Sequence, residues 1–199
     1  MRQRLSTVSC GFYSIIVTLA TTVSVGISAH LIGILHDMGL RRATLVASLL
    51  GVGQSCARLA DALFDRHLDP LTLNLVATSI TAVAFVVGLS GGGSIATATV
   101  FAFCYGIGNG LSTIARGTVP LVLFEPDVYG RIVGILQVPA FVLGAVAPVA
   151  YAAALEHSGS VAALTLSFVL ASLMAVFSVA LIIEFRRRTS VSSAIDRSR

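Results

Sequence analysis

Six apolar runs, each about as long as a helix that crosses a bilayer, leave this chain few possible folds. A helix needs about 20 apolar residues to span the hydrocarbon core of a membrane. Short polar or glycine-rich segments separate the runs, and the predicted spans cover about residues 8–31, 43–60, 71–89, 95–115, 131–155 and 161–183. The pattern predicts an all-α integral membrane domain of six transmembrane helices over residues 1–188, followed by a disordered cytoplasmic tail at 189–199.

The composition is typical of an integral membrane protein rather than of a soluble or nucleic-acid-binding protein. Charged residues make up only 11% of the chain and the mean hydropathy is +0.93, whereas a soluble domain carries about 25% charged residues. The net charge of +4 comes from arginines at span ends rather than on one face. The expected partner is therefore the lipid bilayer, and binding to nucleic acid is not expected. The cysteines, Cys10, Cys56 and Cys104, show no metal-ligand spacing, and no metal or cofactor is predicted.

The distribution of arginine predicts the orientation. Six spans place both termini on one side, and that side would hold eleven of the 13 basic residues: Arg2, Arg4, Arg58, Arg66, Arg116, Arg131, Arg186, Arg187, Arg188, Arg197 and Arg199. By the positive-inside rule both termini are cytoplasmic, in a multi-pass protein of the inner (plasma) membrane. A cleaved signal peptide is the alternative for the first run, but that run is long and is followed by further membrane segments.

A faint internal repeat divides the six runs into two sets of three. Asp37 to Arg41 reads DMGLR before the second run, and Asp127 to Arg131 reads DVYGR before the fifth. The third and sixth runs begin at Leu71 and Val161, with the same offset. An odd number of spans in each repeat gives the two copies opposite topology, which is the inverted-repeat arrangement of many secondary transporters.

Two stretches carry a family resemblance. They are SAHLIGILHDMGLRRATLVASLLGVGQSCARLADALFDR at 28–66 and FEPDVYGRIVGIL at 124–136. With them the chain resembles the C-terminal six-helix half of a major facilitator superfamily (MFS) transporter, from about Ser9 to Arg188. The resemblance implies half of an MFS fold, and a permease that moves a small solute by alternating access rather than an enzyme.

The resemblance also implies which residues lie at the cytoplasmic loops. Asp65-Arg66 is similar to the end of the family's loop signature Gly-x-x-x-Asp-Arg, although Asp61 stands where the signature has glycine. The Tyr-Gly-Arg sequence that ends at Arg131 is similar to the family's turn into its eleventh span. Asp61, Asp65, Arg66 and Arg131 are therefore the predicted loop or gating residues.

Polar residues inside the apolar runs are the predicted substrate-binding set. Gln54-x-x-x-Arg58 is similar to the monocarboxylate and oxalate–formate branch, which implies a small organic anion as substrate. The two residues share one helix face because they are four positions apart. The alternative for Arg58 is that it extends to the interface or pairs with Asp61. Asn109 and Gln137 would line the same cavity, or else form hydrogen bonds between helices.

Glycines at short intervals around the fourth and fifth runs predict close helix contacts. They are Gly106, Gly110, Gly130 and Gly134. Arg116 and Arg131 bracket the predicted turn between the two runs and are expected to set topology and contact lipid headgroups.

Three kinds of function stay open at this point. A transport half needs a second six-span half, on a separate chain or as a second copy. A truncated fragment would not transport, and an accessory or scaffold subunit would use the glycines to dock on a membrane partner. An intramembrane hydrolase would need a buried histidine, but the histidines all lie at span ends or in loops, and no catalytic residue is predicted.

Overall fold

A computed structural model describes residues 7–63, 69–91, 93–125 and 129–197, with the backbone alone for 189–197. The described residues are helical and contain no strand, so the all-α prediction is confirmed. The helices are α1 (Thr7–Asp37), α2 (Ala43–Leu63), α3 (Pro70–Ser90), α4 (Ile95–Leu123), α5 (Tyr129–Leu136) and α6 (Val138–Arg197). Among these residues, five helical stretches are long and apolar enough to cross a membrane, α5 and α6 counting as one. The chain is therefore a multi-pass membrane protein.

α6 is a helical hairpin rather than one long rod. Gly159 has φ 72° and ψ −170°, which interrupts the helix. Tyr151 and Ser167, on either side of it, form a hydrogen bond between their hydroxyls at 2.7 Å. In a continuous helix these two residues would be about 24 Å apart, so the chain reverses at Gly159. We call residues 138–158 the first arm of α6 and residues 160–197 its second arm.

α5 continues into the first arm across a proline kink. The Gln137 N–H still donates to the Val133 carbonyl, and the Gln137 carbonyl accepts from Phe141 N–H. Pro139 has no N–H to donate to the preceding turn, and its ring crowds that turn. The Ser14 hydroxyl of α1 donates to the Leu136 carbonyl beside this kink at 2.7 Å. A neighbouring helix thus satisfies a carbonyl at the kink, as is usual in membranes.

The connections gather at two opposite ends of the bundle. At one end the Asp37 carboxylate accepts a hydrogen bond from Ser160 N–H at 2.7 Å, and Gly93 lies against the Met38 carbonyl. At the other end the starts of α1 and α3 meet the ends of α4 and α6 in one apolar cluster: Tyr13, Ile16, Val17, Leu71, Ala115, Val119, Ala140 and Leu181. Segments α1, α3, α4 and the second arm therefore each run from one end to the other.

The first helix of each half of the chain packs mainly on helices of the other half. α1 packs mainly on α6, and α4 packs mainly on α2 and α3. Glycines bring two of these pairs close together. Gly106 of α4 lies against the backbone of Leu50 on α2, and Gly26 of α1 lies against the Tyr151 ring on the first arm. Small residues permit this approach because no Cβ separates the backbones.

Three boundaries differ from the sequence prediction. α1 continues to Asp37 and α4 continues to Leu123, so Arg116 lies inside a helix rather than in a turn. Pro120 does not end α4, because neighbouring structure can satisfy the carbonyl that a proline frees in a membrane helix. The predicted tail is helical as far as Arg197, since neither glycine nor proline interrupts residues 160–199.

Candidate functional site

Polar side chains from α1, α3, α4 and the second arm of α6 meet inside the bundle. We call them the polar seam: Thr21, Asn74, Thr78, Asn109, Ser112, Arg116 and Ser178. Polar groups are costly among apolar helices unless they are paired, and they therefore mark sites where helices lock together or where a ligand or water is held.

The α3 side of the seam is a hydrogen-bonded network between α3 and the second arm of α6. Asn74 donates from Nδ2 to the Ser178 hydroxyl at 2.9 Å, and the Thr78 hydroxyl lies 3.4 Å from the same oxygen. The Ser178 hydroxyl donates in turn to the Met174 carbonyl. All three side chains are buried. This small network fixes the register between α3 and the second arm.

The α1–α4 side of the seam holds an arginine. Arg116 is half-buried and donates from Nη2 to the Thr21 hydroxyl at 2.9 Å. Its own carbonyl accepts a hydrogen bond from the Tyr13 hydroxyl at 3.0 Å. The Thr21 hydroxyl meanwhile donates to the Val17 carbonyl, so it meets the guanidinium with a lone pair. The partner of this arginine is therefore a neutral hydroxyl.

Two small cavities adjoin the seam, each with room for about one water molecule. The first touches Tyr13, Asn74 and Arg116, and the second touches Tyr105 and Asn109. They share Ser112 as a lining residue. The Ser112 hydroxyl oxygen is buried without a hydrogen-bond partner among the described residues. A buried hydroxyl of this kind has hydrogen-bonding capacity left for a guest in either cavity.

The predicted substrate-binding residues fall in three places. Arg58 is exposed on α2, and Gln54, on the same helix, is half-buried with its backbone against Gly110 of α4. Asn109 belongs to the seam. Gln137 is half-buried at the kink between α5 and α6. Asn109 and Gln137 therefore lie on different helices, and their joint role in one cavity stays a prediction.

Exposed residues on α2 sort into two stripes. The first stripe carries small and polar residues, and we call it the polar stripe. Its residues are spaced alternately four and three positions apart, so they lie along one side of the helix. They are Thr44, Ser48, Gly51, Ser55, Arg58 and Ala62, all exposed. The neighbouring stripe is apolar: Leu45, Val52, Leu59 and Leu63, with 48% to 70% of each side chain exposed. The apolar stripe suits lipid, whereas the polar stripe does not.

The predicted loop residues are only partly described. Asp61 lines a cleft of about 230 Å³ between α2, α3 and α4, together with Pro70, Leu73 and Thr118 among others. Arg131 is exposed at the start of α5. Asp65 and Arg66 lie outside the described residues.

The four predicted packing glycines divide into two pairs. Gly106 and Gly110 are buried where α4 crosses α2, and a Cβ on Gly110 would stand 2.9 Å from the Gln54 carbonyl oxygen. Gly130 and Gly134 are exposed, and no atom of the described residues lies within 4 Å of the position a Cβ would take. The second pair has no packing partner within the described part of this chain.

Sequence reasoning missed Thr21, Asn74, Thr78, Ser112 and Ser178 as a group. Each is a common small polar residue, and nothing in its local sequence indicates that it faces the others. The sequence predicts that Arg116 lies in a loop at the membrane surface. In the structure it lies within α4, about two helical turns before the end of that helix. The signal that was available is the spacing of Asn109, Ser112 and Arg116, which steps of three and four place on one face of a helix.

No group of three histidine, cysteine, aspartate or glutamate side chains in the described ranges is close enough to hold a metal ion. Comparisons with protein-family models, with curated proteins and with solved structures find no match to this chain.

Proposed function

We propose that this protein is one six-span half of a secondary transporter of the MFS type, built from two inverted three-span repeats. Both termini would be cytoplasmic, and the protein would reside in the inner (plasma) membrane. The observation that carries the proposal is the polar stripe of α2. It exposes Ser48, Ser55 and Arg58 along a helix of membrane-spanning length.

A polar stripe on a membrane helix needs water or another protein in front of it. Exposure of an arginine to lipid alone costs about 3 kcal/mol or more at the centre of a bilayer and less near the interface, and Arg58 lies five residues before the end of α2. The apolar stripe with Val52 and Leu59 lies beside it on the same helix, so α2 has one side suited to lipid and another suited to a cavity. A water-filled passage between two six-span halves provides such an environment.

The packing of α1 and of α4 on helices from the other half of the chain supports the inverted repeat. If the first repeat is α1, α2 and α3, the second is α4, the α5–first arm segment and the second arm. α4 contacts α2 and α3 of the other repeat, and α1 contacts both arms of α6. The first helix of each repeat thus packs on the second and third helices of the other. Interlocked repeats of this kind share one core, as two separate three-helix units would not.

The proposed substrate is a small organic anion, with Arg58 as its cationic contact. A guanidinium offers a planar fork of N–H donors that matches a carboxylate. Gln54 lies one turn away on the same helix and supplies an amide. The opposite wall of the cavity would come from a second half, on a separate chain or from a second copy.

Arg58→Lys is expected to lower uptake of labelled oxalate or formate into reconstituted vesicles by about tenfold, because lysine keeps the charge but loses the fork. Arg41→Lys, at an exposed loop position, serves as the matched control and should retain uptake. Equal uptake by both variants would remove Arg58 as the ligand. Absence of uptake by the unmodified chain, alone and with a second half, would remove the transport proposal itself.

The orientation has its own test. A periplasmic-active reporter fused after Gly93 is expected to be active, and the same reporter fused after Glu125 is expected to be inactive, because these sites lie at opposite ends of the bundle. Cytoplasmic-active reporters should give the opposite pattern. A reversal of both readings would invert the topology and place the termini outside.

An accessory or scaffold role is the second candidate, and one observation favours it. Gly130 and Gly134 are exposed with open space above them, as expected of a surface that receives another membrane helix. Gly134→Val would then abolish co-purification of a partner while the unfolding temperature of the isolated chain stays unchanged. In that case no anion uptake is expected from any combination of chains.

A further inference from the structure

Arg116 carries a charge that the described residues do not neutralise. A guanidinium has five N–H donors, and among the described residues this one donates a single hydrogen bond, to the neutral hydroxyl of Thr21. Of the described residues that line the adjoining cavity, none is acidic. A half-buried cation with one neutral partner is costly in an apolar bundle, so the site favours an additional partner of negative charge.

The direction of the side chain argues against a simple contact with lipid headgroups. Helical Cα–Cβ bonds tilt toward the helix N-terminus, which for α4 is toward the opposite end of the bundle. The Arg116 carbonyl accepts from Tyr13, whereas its guanidinium reaches Thr21, two turns further along α1. The charge therefore points from the near end toward the interior. An arginine that only anchored the helix at the interface would point outward.

The surroundings supply further donors. Ser112 has a buried hydroxyl with no partner among the described residues. Asn74 uses one Nδ2 hydrogen for Ser178, and a carboxamide nitrogen carries two. Both residues line the cavity beside Arg116, as does Thr78. The cavity has room for about one water molecule, which limits a guest to a similar size.

We propose that Arg116 is the centre of a binding site for one small monovalent anion of about the size of a water molecule, with Ser112 and Asn74 as additional donors. The site lies inside the bundle on α4, whereas the proposed transport contact, Arg58, lies on the exposed stripe of α2. The inference does not depend on transport, because an anion held here would link α1, α3 and α4 in a protein of any function.

Chloride is the probe for this site. The ³⁵Cl NMR linewidth is measured for the purified full chain in detergent, with gluconate replacing chloride at constant ionic strength. The expected result is saturable broadening by the unmodified chain and loss of at least nine-tenths of it in Arg116→Gln. Arg131→Gln, at an exposed arginine, should retain the broadening. Absence of saturable broadening by the unmodified chain, or equal broadening in Arg116→Gln, would overturn the proposal.

Variants of the other proposed donors test the same site if Arg116→Gln does not fold. Ser112→Ala removes one proposed donor and is expected to weaken chloride binding about tenfold to a hundredfold, in line with one lost hydrogen bond to a charged group. Folding of the variant is checked by a single symmetric peak in size-exclusion chromatography. An unchanged chloride affinity in Ser112→Ala and in Asn74→Leu together would also overturn the assignment.

Discussion

Gly106→Val is expected to separate α2 from α4 and to lower the free energy of unfolding by about 3 kcal/mol or more. A Cβ on Gly106 would collide with the Leu50 carbonyl oxygen and would stand 3.1 Å from the Leu50 Cα. These are backbone atoms, so no rotamer change can relieve the contact. Two further glycines, Gly53 and Gly110, also lie against backbone atoms of the facing helix in this interface, which leaves α2 little room to slide. The measurement is reversible unfolding in mixed micelles of increasing dodecyl sulfate fraction.

Gly117→Val is the matched control, because Gly117 lies on the same helix with nothing within 4 Å of its added Cβ. It should change the free energy of unfolding by less than about 0.5 kcal/mol. Comparable losses in the two variants would show that valine harms α4 by itself, and the close α2–α4 contact would then have no role in stability.

Gly159→Ala is expected to destabilise the hairpin of α6 by about 1–3 kcal/mol. Its φ of 72° with ψ of −170° belongs to a region that only glycine enters readily. The added Cβ would also stand 3.2 Å from the Asp37 carboxylate oxygen that accepts from Ser160 N–H. Strain and disturbance of that hydrogen bond therefore act at the same turn. The expected fall in thermal midpoint is about 3–10 °C.

The control for this turn is Gly33→Ala. Gly33 lies within α1 at an open position, where alanine should leave the thermal midpoint unchanged or raise it slightly, because alanine favours helix. A thermal midpoint for Gly159→Ala equal to that of the unmodified chain would mean that the chain does not reverse through this backbone conformation.

The hydrophobic pattern was sufficient for the all-helical fold and for where several helices begin. α2 begins at Ala43 and α4 at Ile95, where the predicted spans begin, because a charged loop precedes the first and a glycine-rich loop precedes the second. Pro70 opens α3, as its fixed φ and missing N–H favour in a first turn. The ends were harder to predict. A charged residue such as Arg116 suggests a span end, but tertiary contacts with α1 keep it helical.

The contacts between helices could not be predicted from the sequence. Whether Asn74 meets Ser178 depends on the rotation and axial position of two helices that are about 100 residues apart in the chain. Hydropathy determines neither the rotation nor the axial position of a membrane helix, because the lipid and the protein interior are both apolar. The two stripes of α2 are visible as a spacing of four and three in the sequence, but only the fold identifies which sides are exposed.

Thiol accessibility along α2 distinguishes a water-filled passage from contact with lipid. In a chain without native cysteines, single cysteines at Ser48 and Ser55 represent the polar stripe, and single cysteines at Val52 and Leu59 represent the apolar stripe. We expect a charged, membrane-impermeant thiol reagent to label the first pair in intact membranes at least tenfold faster than the second pair. Equal labelling of all four positions, or protection of Ser48 and Ser55 alone, would contradict a water-filled passage along this face of α2.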